Sequence, residues 1–348
     1  MTSLGEILRP LAVLSALALA APAAQAQPGP TAATAPRADA LQEVLEYVRS
    51  QNTTGFLVMR DGQVLAEANW PAPAVPAFRL GFVHGTAASG ALLEDVASQQ
   101  KSFVAVLAAI AVDKGLLDLE QPVSRYIGPG WSKAAPEQEA AIRVIDLLTM
   151  TSGLDTSFGY AAPPGRVFLY NTPVYAVTKQ VLEAAARRPL DEITREWLTE
   201  PAGMTETAWR KRPAALGDVG NPTGLVTTPR DVARFGQVIL DRGRAADGRR
   251  IVSEAQLDAL FTPTPANPAY GRLWWLNSSP YTVRADGRRA EGRLIPSAPA
   301  DLVVALGALD RKLYVSPSRR LVVVRLGASA PDKAFDETLW RKLSAALD

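Results

Sequence analysis

The feature that most constrains this chain is a ten-residue run, Phe103-Val104-Ala105-Val106-Leu107-Ala108-Ala109-Ile110-Ala111-Val112, apolar at every position. A helix that is hydrophobic all round cannot lie on a surface and must be enclosed by other layers. Asp113-Lys114-Gly115 supplies a glycine stop after it. Enclosing such a helix takes a large domain. At 348 residues, 47% hydrophobic and 21% charged, the chain has the material for one.

The layers that enclose it are legible at the two ends. Phe56 to Arg60 and Gln63 to Ala66 flank Asp61-Gly62, the strongest short signal for a two-residue β-hairpin turn. Near the other end, Leu302 to Leu306, Lys312 to Val315 and Leu321 to Leu326 read as strands, the last two joined through Ser316-Pro317-Ser318. Ala40 to Arg49 and Ala334 to Leu347 have helical spacing. Between the β-rich ends, Ile142 to Met150, Pro173 to Ala186, Leu190 to Glu200 and Pro229 to Leu240 read as helices. The expected class is therefore α+β: an antiparallel sheet built from both chain ends with flanking helices, and a mostly helical lobe, about 95–265, inserted in it.

Ahead of this domain, expected over 40–348, residues 1–26 have the form of a secretory signal. Arg9 precedes an apolar stretch from Leu11 to Ala21, and Ala24-Gln25-Ala26 gives a small-x-small cleavage site. The Pro/Ala/Thr-rich stretch within 27–39 reads as a flexible linker. The expectation is an exported protein, periplasmic or secreted, that begins at Gln27 after cleavage behind Ala26. No other stretch approaches the ~20 apolar residues of a membrane span, so no stable membrane anchor is expected. The basic runs Arg210-Lys211-Arg212 and Arg249-Arg250 are scattered, lack interleaved aromatics and read as solvated surface, so no nucleic-acid partner is expected.

The chain has no Cys and a single His. Thiol nucleophiles, disulfides and Cys-ligated zinc are excluded, and a His-rich catalytic zinc site cannot be assembled. No metal and no organic cofactor are expected. His84 could complete a Ser-His-Asp triad, but no G-x-S-x-G elbow supplies its serine. Proton transfer in a hydrolase of this composition falls to Lys, Tyr or carboxylates.

Ser98-Gln99-Gln100-Lys101 opens the apolar helix. The i, i+3 spacing puts serine and lysine on one face, and the helix N-terminus offers oriented N–H groups where an oxyanion would form. A lysine beside an apolar helix also loses hydration, which lowers its pKa. Such a spacing arises about once by chance in a chain this long. Its place at the mouth of an otherwise apolar helix is what gives it weight.

Val96 to Phe103, followed by Asp113-Lys114-Gly115-Leu116-Leu117-Asp118 through Pro122-Val123, resembles the nucleophile helix of class C β-lactamases and the esterases and peptidases similar to them. Ile145 to Leu154, Pro164-Gly165-Arg166, Pro201-Ala202-Gly203-Met204 and Thr227 to Gly236 continue the resemblance in order, from about residue 55 to 345. It implies the β-lactamase/transpeptidase fold, with Ser98 as nucleophile and Lys101 as its proton-handling partner. The family's Y-x-N element falls on Tyr170-Asn171-Thr172. Tyr170 carries over as a proton-transfer group, whereas Thr172 stands where the family has an amide, with Asn171 beside it as a possible stand-in. The K-T-G element falls on Ala305-Leu306-Gly307. Gly307 would permit close approach, the N–H of Ala308 would join that of Ser98 in the oxyanion hole, and Ala305 has lost the cationic group. Asp310 could replace that group, although a turn position suits it better. With Tyr270 to Asn277, which includes Trp274 and Trp275 as candidate acyl-pocket or core residues, these departures look more like the 6-aminohexanoate-dimer hydrolase and carboxylesterase branch. The implied activity is hydrolysis of a small-molecule ester or amide through an acyl-enzyme. A β-lactamase or D,D-peptidase is the alternative within catalysis, and a non-turning-over binding protein the alternative outside it.

Overall fold

The computed structural model describes residues 37–217 and 219–348. The expected signal segment and cleavage site, and the linker as far as residue 36, lie outside the described residues. The hairpin forms as its turn residues require: Thr53–Arg60 and Gln63–Asn69 pair antiparallel, with Asp61 at φ 50° and Gly62 at φ 76°. Positive φ at both central positions matches the right-handed twist of the flanking strands, and Asp-Gly tolerates it best. Thr53–Arg60 then pairs with Leu321–Gly327 from the far end of the chain. Beyond that strand lie Arg311–Ser316, Val303–Gly307 and the short Trp275–Leu276, completing a six-stranded antiparallel sheet made from both chain ends.

Alternation along the strands divides the sheet between two helical layers. Tyr314 meets Trp340 edge to face at 5.7 Å, so it faces the terminal helix Phe335–Leu347, and the first helix, Ala38–Ser50, joins that layer through a Tyr47–Phe335 stack at 5.8 Å. Leu313 and Val322 face the opposite layer. A Cβ on Gly236 would come within 2.6 Å of Val322 and 2.9 Å of Leu313, so glycine lets the helix Pro229–Leu240 settle directly on the sheet. The apolar run forms the helix Gln100–Asp113, buried from Gln100 to Ala111. Its Phe103 stacks on Phe235 at 3.8 Å. Each fully buried Val, Leu, Ile or Phe here contributes roughly 1.5–3 kcal/mol, and a charged substitution at Ala105 or Ala108 would have no partner.

The inserted lobe is less uniformly helical than its composition suggests. It contributes Ala208–Lys211 and Thr223–Thr227 to a second sheet with Val83–Thr86 and Leu92–Asp95. The helix expected over Leu190 to Glu200 is α-helical only to Thr194 and widens to a π turn over Arg195–Thr199. The helix expected from Ile142 to Met150 is confined to Val144–Leu148, and Met150 already has φ 58°. Among the described residues no helix is long and apolar enough to cross a membrane.

Candidate active site

Ser98 does not sit in the first α-helical turn. It occupies a 3₁₀ turn, Ala97–Gln99, wedged between the strand Leu92–Asp95 and the buried helix. Ala97 has φ 52°, a left-handed conformation that costs a residue with a Cβ roughly 1 kcal/mol. Asp95 holds it there: its Oδ1 accepts from the Ala97 N–H at 2.8 Å. The same carboxylate receives Arg212 Nε at 2.7 Å and Nη2 at 2.9 Å, a bidentate pair with side chains only 0% and 7% exposed. Gly224 makes room for it, because a Cβ there would lie 1.9 Å from Asp95 Oδ2. Arg212 was expected on solvated surface with Arg210 and Lys211. Those two neighbours are exposed, but Arg212 lies just past the strand end and turns inward.

Lys101 follows one turn later and is 2% exposed. Its Nζ lies 2.9 Å from Ser98 Oγ and 3.3 Å from Thr172 Oγ1, and 4.8 Å and 4.7 Å from the ring centres of Tyr170 and Tyr175. Burial, reinforced by the positive charges of Arg212 and Lys179, pulls its pKa down to about 7. Tyr170 moves the opposite way. Burial raises its phenol to about 12, with the hydroxyl contact to Ser98 acting against the rise. At neutral pH the site therefore combines an amine that is about half unprotonated with a phenol that keeps its proton. Tyr170 is fixed by stacking on Trp275 at 5.9 Å and by the edge of Tyr270 at 6.3 Å.

The strand Val303–Gly307 closes the other side. A Cβ on Gly307 would fall 2.4 Å from Val96 O and 3.3 Å from Gln99 N, so glycine lets the strand reach the Ser98 turn. Ala308 then borders the same cavity as Ser98 and Thr172, a space of about 250 Å³. Phe82, Leu216 and Val219 give it apolar walls, and Arg212 and Asn221 a polar one. Of these five, only Arg212 had been named in the sequence, and there as solvated surface. A larger cleft of about 630 Å³ lies against Leu306, Asp310 and the start of the terminal helix, and it includes none of Ser98, Lys101 or Tyr170.

Two expected site residues are displaced from the cavity. Asn171 is 1% exposed and caps the helix Thr172–Ala186, its Oδ1 accepting from Val174 N at 3.2 Å while Nδ2 donates to the carbonyls of Leu154 and Asp155 at 2.9 and 3.0 Å. Its amide is fully engaged in the scaffold, so it cannot stand in for the missing amide at Thr172. Ala305 pairs with Leu313 and is 0% exposed, a core residue with no surface in the cavity. Asp310 is a turn residue at φ 60° that accepts from Ala330 N. His84 is exposed on the strand Val83–Thr86, away from Ser98. Trp274 is a core residue stacked on Phe235 at 5.9 Å, whereas its neighbour Trp275 buttresses Tyr170.

The beta-lactamase family model matches residues 41–347, nearly all of the described residues. Penicillin-binding protein 4 of Amycolatopsis lactamdurans is 28% identical over 204 residues, which cover 45% of this chain and 53% of that protein. The chain thus spans about half the length of this curated relative. Among solved structures, a putative beta-lactamase from Bacteroides dorei is similar at TM-score 0.68 and 16% identity, over 90% of this chain and 99% of that one. A putative 6-aminohexanoate-dimer hydrolase from Bacillus anthracis is similar at TM-score 0.64 and 17% identity, over 86% and 80%. At such identities the likeness of the structures is one of fold. Together with the family match over residues 41–347, it identifies this protein as a serine hydrolase of the beta-lactamase family.

Proposed function

We propose that the protein hydrolyses a small ester or linear amide through an acyl-enzyme on Ser98. The observation that carries this reading is the buried Lys101 amine 2.9 Å from Ser98 Oγ, at the edge of a largely apolar cavity of about 250 Å³. The unprotonated amine takes the Ser98 proton as Oγ bonds to the substrate carbonyl carbon. The backbone N–H groups of Ser98 and Ala308 receive the resulting oxyanion. On collapse, the Tyr170 phenol protonates the departing alcohol or amine and recovers a proton from the Lys101 ammonium. Water then repeats the sequence in reverse, losing a proton as it attacks the acyl carbon, and Ser98 leaves as the neutral hydroxyl. Every proton taken is returned, and the site needs no further reactant.

Esters fit the site better than β-lactams. Thr172 offers a hydroxyl already engaged by Lys101 where an amide would bind a substrate carbonyl, and Ala305 offers no cation. Incubation with p-nitrophenyl esters of several lengths, a chromogenic cephalosporin and a linear amide dimer, followed by intact-mass spectrometry, tests the reading. Ester turnover with a transient Ser98 adduct is expected. Cephalosporin turnover at or above ester turnover would overturn it, and a stable adduct without turnover would make the protein an acylated binder. Export, with a mature N-terminus at Gln27, is part of the same proposal.

A further inference from the structure

We propose that Arg212 is a specificity residue that selects substrates carrying a carboxylate a short chain away from the scissile carbonyl. The inference rests on the acyl-enzyme reading and adds the substrate class. Among the described residues lining the cavity beside Ser98, Arg212 is the one charged side chain. Asp95 and the Asn221 carbonyl accept from its Nε, Nη2 and Nη1. A guanidinium carries five N–H donors, so each terminal nitrogen keeps one hydrogen these contacts do not use, and the two stand in a fixed fork.

Asn221 is 1% exposed and lines the cavity, and behind it Lys179 Nζ lies 2.5 Å from Asn221 Oδ1 and 2.7 Å from Thr223 Oγ1. Burial pulls the Lys179 amine down to about 7, so at pH 7.5 the guanidinium is the group there that keeps its full positive charge. Phe82, Leu216 and Val219 close the remaining sides with apolar surface, which strengthens a charge-assisted hydrogen bond formed between them. The volume suits a chain of a few carbons. A succinyl group, with its carboxylate two methylenes from the reacting carbonyl, matches this combination of apolar walls and a cationic end.

The test compares ethyl butyrate with monoethyl succinate, which has a carboxylate where the other has a terminal methyl, in a pH-stat at pH 7.5. The wild-type kcat/KM should favour the acidic ester by about tenfold or more, the discrimination of one charge-assisted hydrogen bond. Arg212→Gln should bring the ratio to one or below, and Arg212→Lys should retain part of it. Because Arg212 also braces Asp95, both variants will lose absolute rate. Taking the ratio within each preparation cancels that loss, and the wild-type ratio needs no variant. Both esters hydrolysed at a wild-type ratio of one or below would overturn the assignment while sparing the acyl-enzyme reading. An unchanged ratio in Arg212→Gln would remove Arg212 from it. Turnover of neither these esters nor the p-nitrophenyl series would overturn both proposals together.

Discussion

Replacing Lys101 with Met should inactivate the enzyme and stabilise it, by an amount that depends on pH in a calculable way. Burial holds the lysine at about 7 in the folded chain against 10.5 when solvated. Each unit corresponds to about 1.4 kcal/mol between the protonation states. Between these values the unfolded chain binds the proton that the folded chain has released, so stability rises with pH across that window. The cost to the native state is full below pH 7, about 5 kcal/mol, and falls to about 2 kcal/mol at pH 9 and to nothing above 10.5. Lys101→Met removes this cost and forfeits the contacts to Ser98 and Thr172, which weigh much the same at every pH. Urea denaturation of both proteins at pH 6, 7.5 and 9 isolates the difference. The variant's advantage should shrink by about 3 kcal/mol from pH 6 to pH 9. The wild-type kcat/KM should rise with a midpoint near pH 7, as the amine loses its proton. A stability difference independent of pH, or one that grows as pH rises, would show that Lys101 is not a desolvated base.

Ser98→Ala should abolish labelling by a fluorophosphonate and lower kcat about 10⁴-fold or more, and labelling that survives would place the nucleophile elsewhere. Tyr170→Phe should lower kcat by roughly 10² while leaving the ascending limb near pH 7, since that limb belongs to Lys101. An unchanged kcat would exclude Tyr170 from proton transfer. Gly224→Ala should destabilise the fold by about 1–3 kcal/mol in thermal denaturation, because the added methyl collides with the Asp95–Arg212 pair. An unchanged midpoint would show that the pair does not need that space.

What the sequence disclosed, and what it hid, follows from where each signal is encoded. The hairpin at Asp61-Gly62 and the buried helix after Ser98 were readable because turn chemistry and hydrophobic pattern are local. The Ser98–Lys101 contact was readable because it spans one turn. The 3₁₀ turn was not, since Ala97 carries no mark of its left-handed backbone and is held by a carboxylate two residues earlier. Arg212 was hidden for a different reason: its acidic partner lies 117 residues away, and only the pairing of the second sheet brings them together. Asn171 misled because a motif position fixes which residue stands there and not where its side chain turns. The helix cap claimed the amide first.

The sheet built from both chain ends sets a schedule for folding. Glu94, beside the Ser98 turn, pairs with Arg311, 217 residues further on, and Thr53 receives Arg325 across 272 residues. Such separations make closure slow, because loop entropy must be overcome before those contacts form. A chain emerging from the ribosome thus carries Ser98 and Lys101 long before the strand that brings Ala308, and the proposed oxyanion hole does not exist until the last strands are made. The proposed site is consequently incomplete throughout synthesis, and a truncation that removes residues after about 300 would leave Ser98 and Lys101 without Ala308.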